Sequence, residues 1–338
     1  MITNPWLPCQ VLLALTGCAY GLSSAVSRES HAMTLRAGSD STRAHLLSLI
    51  VDVNAADGVV YSAKDSQGRT MDTAKIIQAP EGDYLAVYHT LRDDGRFHSA
   101  IATSTDLLHF TFSADFGAGS SQPTIFFVGD GSYVMAWEQD PNNHIAVRYF
   151  ANRADLLAAN PTRSFDTPMT LSTCAEGTPN IYSVKLNPDI DHSFIDIGGH
   201  YFRDCQVDRQ QRGNLTNFNH WVTSPRPDVD NAVLFWGVQG NIGDRDAVTF
   251  DGFPFQLMEG QGTFGDFGSF RTFLYDFSTG NADRVKVTTA RGSTAFANPS
   301  ISIIKAPDGQ SAVVVGMFLP SEGAVAGEAG QLIYYRRF

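Results

Sequence analysis

The chain has 338 residues, a formal net charge of -11, 43% hydrophobic residues and 17% charged residues. With 23 Phe, 11 Tyr and 4 Trp, it can fill a large core, which excludes a disordered chain; the acidic balance argues against a nucleic-acid groove, which needs a basic surface. Thirty Gly and 15 Pro suit many short strands joined by tight turns.

From the start of the chain, Trp6 to Ala19 is mostly apolar and no charge appears before Arg28. Small residues follow at Ser23, Ser24 and Ala25. This is the pattern of a cleaved signal over 1–25, although the first residues lack Lys and Arg. The same run also reads as a buried first strand, or, through Leu15-Thr16-Gly17-Cys18, as a lipoprotein signal with Cys18 lipidated. No later stretch is apolar enough to span a membrane. Residues 26–45 form an N-terminal segment, and the folded domain is expected over 46–338. Removal of Cys9 and Cys18 with the signal leaves Cys174 and Cys205, an even pair that suggests one disulfide in a secreted chain; the alternative is two separate buried thiols. Asn214-Leu215-Thr216 is a glycosylation sequon, meaningful in a eukaryotic secretory host.

A repeat runs along the rest. A small or polar residue precedes Pro or Ala, and then come a β-rich strand, a turn and a second apolar strand. The copies open at Thr73-Ala74-Lys75-Ile76, Gln122-Pro123-Thr124-Ile125, Thr178-Pro179-Asn180-Ile181 and Asn298-Pro299-Ser300-Ile301. A weaker copy opens at Asp246-Ala247-Val248-Thr249. The starts lie roughly 50–70 residues apart, the length of a four-stranded blade with some long loops. No amphipathic helix longer than a turn or two is expected, and Ala151 to Ala159 is the one helical candidate. The prediction is an all-β protein, a single five-bladed β-propeller closed by its N- and C-terminal strands. Gln331 to Phe338 would be one closing strand, and Val59 to Ala63 or Leu46 to Val53 the other. A two-sheet β-sandwich is the competing architecture.

Blade geometry sorts the acids. In a propeller the first strand of each blade lines the axis, and its N-terminal end shares a face with the loops between second and third strands. Asp83, Asp130, Asp251 and Asp308 fall in Gly-containing turns on the opposite face and read as turn formers. The near face collects Asp72, Gln122, Glu176, Arg245 with Asp246, and Asn298 at the strand starts. Its loops add His89, Glu138, Asp140, His200 and Glu259. Carboxylates converging on an axial pocket are what glycoside hydrolysis needs: one acid protonates the leaving oxygen, and one carboxylate activates water or attacks carbon. Tyr88, Trp137, Tyr182 and Trp236 are candidates for stacking on sugar rings, against the plainer role of packing between blades.

The segment Cys174-Ala175-Glu176-Gly177-Thr178-Pro179-Asn180-Ile181-Tyr182 resembles the third-blade acid motif of the five-bladed glycosidases, glycoside hydrolase families 43 and 62 and their relatives. The resemblance implies an inverting hydrolase of arabinofuranosyl or xylosyl units, with Glu176 as general acid and Asp72 as general base. Asp246 is a third candidate catalytic carboxylate, and either it or Glu138 would tune charge or bind substrate. Gln122, Glu138, His200, Arg245, Glu259 and Asn298 are the candidate substrate-binding set. The chain departs from the family pattern. Thr178 is inserted before Pro179, Asp72 is followed by Thr73 and Ala74, and Gln122 stands where a third carboxylate is usual. No cofactor is required by the sequence; an axial calcium ion, as in some relatives, is the one candidate, and the sequence does not support it because the fifth blade shows no His at its inner strand.

Arg245 would hold a carboxylate of the protein, through an ion pair with Asp244 or Asp246, or one of an acidic sugar. Metal-binding His pairs, Cys-x-x-Cys, a nucleophile elbow and nucleotide-binding fingerprints are all missing from the sequence. The expectation is a secreted, monomeric glycoside hydrolase with a carbohydrate substrate. The alternatives are a non-catalytic carbohydrate-binding propeller and a sialidase-like or lyase propeller acting on acidic sugars, although no Asp-box turn is present.

Overall fold

The computed structural model describes residues 36–338. The signal-like segment 1–25, Cys9 and Cys18 lie outside them. A helix, α1, covers residues 36–50, followed by β1 (Gly58–Val60). Blade I contains β2 (Asp72–Gln78), β3 (Tyr84–Leu91), β4 (Phe97–Ser104) and β5 (Thr111–Ala118). Blade II contains β6 (Ser120–Phe127), β7 (Tyr133–Gln139), β8 (His144–Phe150), the short α2 (Arg153–Leu157) and β9 (Arg163–Asp166). Blade III contains β10 (Glu176–Leu186), β11 (Ser193–Arg203), β12 (Val207–Thr216) and β13 (His220–Pro225), and α3 (Pro227–Leu234) leads out of it. Blade IV contains β14 (Arg245–Phe250), β15 (Phe253–Gln261), β16 (Phe270–Asp276) and β17 (Asn281–Val285). Blade V contains β18 (Ala297–Lys305), β19 (Ser311–Leu319) and β20 (Gly330–Arg337).

Each blade is a four-stranded antiparallel sheet in sequence order, except the fifth, where β1 pairs with β20 through Val59 opposite Tyr334. The fold is therefore a five-bladed propeller closed by strands from the two ends of the described residues, which leaves no open ring edge. Apolar clusters lie between successive blades, such as Val134, Ala136 and Val147 against Ile195, Ile197 and Leu215 between blades II and III.

The closing strand is the Gly58–Val60 run, not 46–53, and α1 is a four-turn helix where none was expected. Leu46, Leu49 and Ile50 of α1 are buried against blades IV and V. Its first turns bury polar residues on the same face. The Ser39 hydroxyl donates to Asp276 Oδ2 at 2.6 Å, and Arg43 donates to Asp276 and Asp283 at 2.9 and 2.7 Å. Hydrophobic periodicity is blind to a helix face held by ion pairs. The expected helix near 151–159 forms as α2, capped by the Asn152 side chain, which accepts from Asp155 N.

The repeat detected in the sequence has a backbone cause. Thr73, Gln122, Thr178 and Asn298 all have left-handed φ, at 57, 53, 47 and 48°. Each coincides with a register shift against the second strand of its blade. These are four equivalent β-bulges, which re-aim side chains next to a site. Blade IV has no such shift, since Arg245 pairs directly with Met258, and its sequence copy is accordingly the weakest.

Candidate active site

The four bulge residues open onto one axial well with two lobes. The first, of about 450 Å³, is lined by Asp72, Thr73, His89 and Phe97 together with Gln122, Glu138 and Asn298. The second, of about 410 Å³, shares Gln122, Glu138, Asn143, Asn298 and Phe318 and adds Thr178, His200, Asp208 and Glu259. Of the expected residues, Asp72, Gln122, Glu138, His200, Glu259 and Asn298 line the well.

Glu138, near the end of β7, stands at the junction of the lobes. Its Oε2 accepts from Thr178 N at 3.1 Å and Thr178 Oγ1 at 3.4 Å. A Cβ added at Gly177 would overlap this carboxylate, so glycine is what lets it reach blade III from blade II. Burial pushes the Glu138 acid above the ordinary carboxyl range, against the opposing influence of His200 and the Thr178 amide. Burial also raises Asp72, whose carboxylate accepts from Thr70 Oγ1 at 3.1 Å. Asp208, at the start of β12, is pushed up to about 6 by burial. His89 and His200 are both pushed down to about 4 by burial and are neutral near pH 7. His89 Nδ1 accepts from Gln122 N at 3.0 Å, which fixes its tautomer and holds the bulge of blade II.

On the floor, Glu259 accepts from Asp244 N at 3.0 Å and from Asn298 N at 2.6 Å. Asp244 also accepts from Asn298 Nδ2 at 3.3 Å. Burial, and for Asp244 the neighbouring Glu259, raise both carboxyls.

Three expected residues are placed elsewhere. Glu176 is 1% exposed and lines neither lobe. Its Oε1 accepts from the backbone N of Thr170, Leu171 and Ser172, so this carboxylate organises the 167–175 loop instead of facing the axis. Asp246 is 3% exposed and lies below the well floor. It accepts from Lys75 Nζ, from Asn180 Nδ2 at 2.6 Å and from Ile301 N at 2.9 Å, joining blades I, III and V to blade IV. Arg245, 2% exposed, donates to the carbonyls of Thr178 and Gly243 and lines neither lobe. The axial position of a calcium ion is a poor fit here, because the Lys75 ammonium already supplies the cation facing Asp246 and the Ile301 carbonyl, 2.8 Å away. Among the described residues no cluster of three or more His, Cys, Asp or Glu is arranged to hold a metal ion.

The expected aromatic residues also differ. Tyr88 and Trp137 are buried between blades, and Tyr182 packs under Arg212 at the opposite end of the axis from the well. The rings that line the well are Phe97, Phe202, Phe267, Phe270 and Phe318. Cys174 and Cys205 form a disulfide that ties the loop before β10 to the β11–β12 turn. Asn214 sits mid-ladder between Asp196 and Val222 and is partly buried, not in an exposed loop.

Asp208 is the one carboxylate lining the well that was not among the expected residues. A signal was available, because the third strand of each blade begins on the near face and Asp208 is the second residue of β12.

Fold and well together define a five-bladed propeller with a carboxylate-lined axial pocket. No protein-family profile matches the chain, and no curated protein matches its sequence. Among solved structures, the chain is similar to BT0996 in its RGII complex, with a TM-score of 0.56 and 12% identity over 89% of this protein and 96% of that one. It is similar to a thermostable family-43 glycoside hydrolase, with a TM-score of 0.52 and 10% identity over 82% and 92% of the two proteins. It is also similar to the α-L-arabinofuranosidase PaAbf62A from Podospora anserina in complex with cellotriose, with a TM-score of 0.51 and 13% identity over 86% and 97%. The likeness is one of fold: the protein has the five-bladed fold of family 43 and 62 glycoside hydrolases.

Proposed function

We propose that this protein is a secreted glycoside hydrolase in which Glu138, not Glu176, donates the proton and Asp72 activates water. The observation that carries the reading is the position of Glu138, at the junction of the two lobes, with its acid raised by burial. A general acid must hold its proton near neutral pH and release it to the glycosidic oxygen. Asp72 lines the lobe on the blade I side, where a water on the far face of the sugar ring would stand. In this reading the reaction inverts, which requires the two carboxyl groups to stand about 6.5–9.5 Å apart so that a water fits between base and sugar. Arabinofuranosyl and xylosyl linkages are the first to test, in keeping with the motif resemblance and with the fold shared with the α-L-arabinofuranosidase PaAbf62A. The Cys174–Cys205 disulfide supports an oxidising compartment.

The test is turnover of a panel of aryl glycosides and oligosaccharides by wild type, Glu138→Gln, Asp72→Asn and Glu176→Gln. Loss of a general acid or base costs about 10²–10⁴-fold in rate. Glu138→Gln and Asp72→Asn should fall by that much, and Glu176→Gln should remain near wild type. Full activity of Glu138→Gln on a substrate the wild type cleaves would overturn the assignment. A second reading, carbohydrate binding without catalysis, is favoured by the neutral Thr73, Gln122, Thr178 and Asn298 at the four bulges. It predicts binding by the wild type with no turnover.

A further inference from the structure

The two lobes differ in what surrounds them. Asp72, Thr73, His89 and Phe97 belong to the first alone, and His200, Phe202, Asp208 and Phe267 to the second alone. In the second lobe, His200 is 8% exposed, and its Nε2 is 3.5 Å from Asp208 Oδ1. The buried Nδ1 of His200 has no hydrogen-bond partner. Phe267, on the same lobe, is exposed.

Neither lobe is lined by Lys or Arg among the described residues, whereas Asp72, Glu138, Asp140, Asp208 and Glu259 all line one or the other. The nearby guanidinium groups are engaged elsewhere. Arg245 is held by the Thr178 and Gly243 carbonyls, Arg209 donates to the Asp208 and Gly240 carbonyls, and Arg96 faces Asp140 at the rim.

We infer that the His200–Asp208 lobe is the leaving-sugar subsite of an uncharged oligosaccharide, and that the Asp72 lobe holds the sugar whose anomeric carbon is attacked. This rests on the hydrolase reading above. The proton donor must reach the oxygen between two sugars, and Glu138 is the acid on the boundary between the lobes. The base must lie in the lobe of the sugar that is attacked, and Asp72 borders only the first. In the step itself, Glu138 gives its proton to the glycosidic oxygen, which leaves with the electron pair of the broken C–O bond. The water oxygen bonds to the anomeric carbon, and its proton passes to Asp72. His200 and Asp208 touch only the departing sugar, through its hydroxyl groups, and set specificity on that side. A uronate in either lobe would meet several carboxylates and no free cation among the described residues, so anionic sugars are rejected.

The test compares arabinotriose, xylotriose and galactotriose with trigalacturonate, and each neutral trisaccharide with its glycosyl fluoride, which has no leaving sugar. The variants are His200→Ala and Asp208→Asn, the second carrying the test should the first not fold. For each variant, the expected loss in kcat/KM on the trisaccharide exceeds at least tenfold both that on the fluoride and that on the matching phenyl glycoside, whose departure still needs the Glu138 proton but which has no sugar hydroxyls on the leaving side. Equal losses, or turnover of trigalacturonate at the neutral rate, would overturn the subsite assignment while leaving the hydrolase reading intact. Absence of turnover of every substrate by the wild type would overturn the hydrolase reading and the direction of the lobes with it. Calorimetry would then still separate outcomes for the lobe. A tenfold weaker neutral trisaccharide in His200→Ala, with monosaccharide affinity unchanged, would retain it as a sugar subsite, and no difference would reject it.

Discussion

Replacing Asp246 by Ala tests the placement of this residue most directly, because a catalytic role and a structural role predict different readouts. Asp246 is 3% exposed and accepts hydrogen bonds from a lysine side chain, an asparagine side chain and the Ile301 amide of three different blades. Removing it leaves the Lys75 ammonium buried with one carbonyl partner. Breaking a buried ion pair by deleting one member costs about 3–5 kcal/mol, because the remaining charge is stranded. With an unfolding entropy of about 2.1 cal/mol/K per residue, a protein of 338 residues loses roughly 0.7 kcal/mol per degree. The melting temperature should therefore drop by about 4–7 °C, measured by calorimetry at pH 7. The double variant Lys75→Met/Asp246→Leu, which removes both charges, should recover most of that loss. A melting temperature within about 1 °C of wild type for Asp246→Ala would refute the axial linchpin. Equal losses in the single and double variants would show that the cost arises from packing and not from a stranded charge.

Other outcomes follow from the same geometry. Glu176→Gln gives up a charged acceptor for three backbone amides, so it should lose about 1–3 kcal/mol in denaturant melts while keeping activity. Mutating Cys174 and Cys205 to Ser opens a link with a sequence separation of 31 residues, expected to cost about 3–4 kcal/mol by loop-closure entropy. Acid should weaken the fold through His89 and His200. Both titrate near pH 6.5 when unfolded and are pushed down to about 4 when folded, so the unfolded state holds more protons between those values. Stability is thus lost as pH falls through that window, by up to about 1.4 kcal/mol per pH unit for each histidine. A His89→Gln variant melted at pH 7 and pH 5 should show a visibly shallower decline than wild type, and an unchanged slope would count against the buried neutral imidazole.

Repeat spacing, Gly-containing turns and the cysteine pair were enough to read five blades, their closure and one disulfide, because these depend on local backbone preferences and on counting. The α1 helix escaped because its first turns are held by Ser39 and Arg43, a polar face with no hydrophobic period. The near-face residues were legible as a set, since blade order alone places Asp72, Gln122, Glu138, Glu176, His200, Arg245, Asp246, Glu259 and Asn298 at one end of the ring. Which of them look into the well was not. Successive residues on a strand point to opposite sides, and a bulge shifts that alternation by one. The acid-like motif at Glu176 lies two residues ahead of the bulge at Thr178, and its carboxylate turns to the amides of its own loop. Glu138 has no motif around it, yet the missing side chain of Gly177 gives it a place at the axis. Local sequence thus determined the strands and their order, whereas the direction of each carboxylate was decided by contacts between blades, which no spacing along the chain encodes.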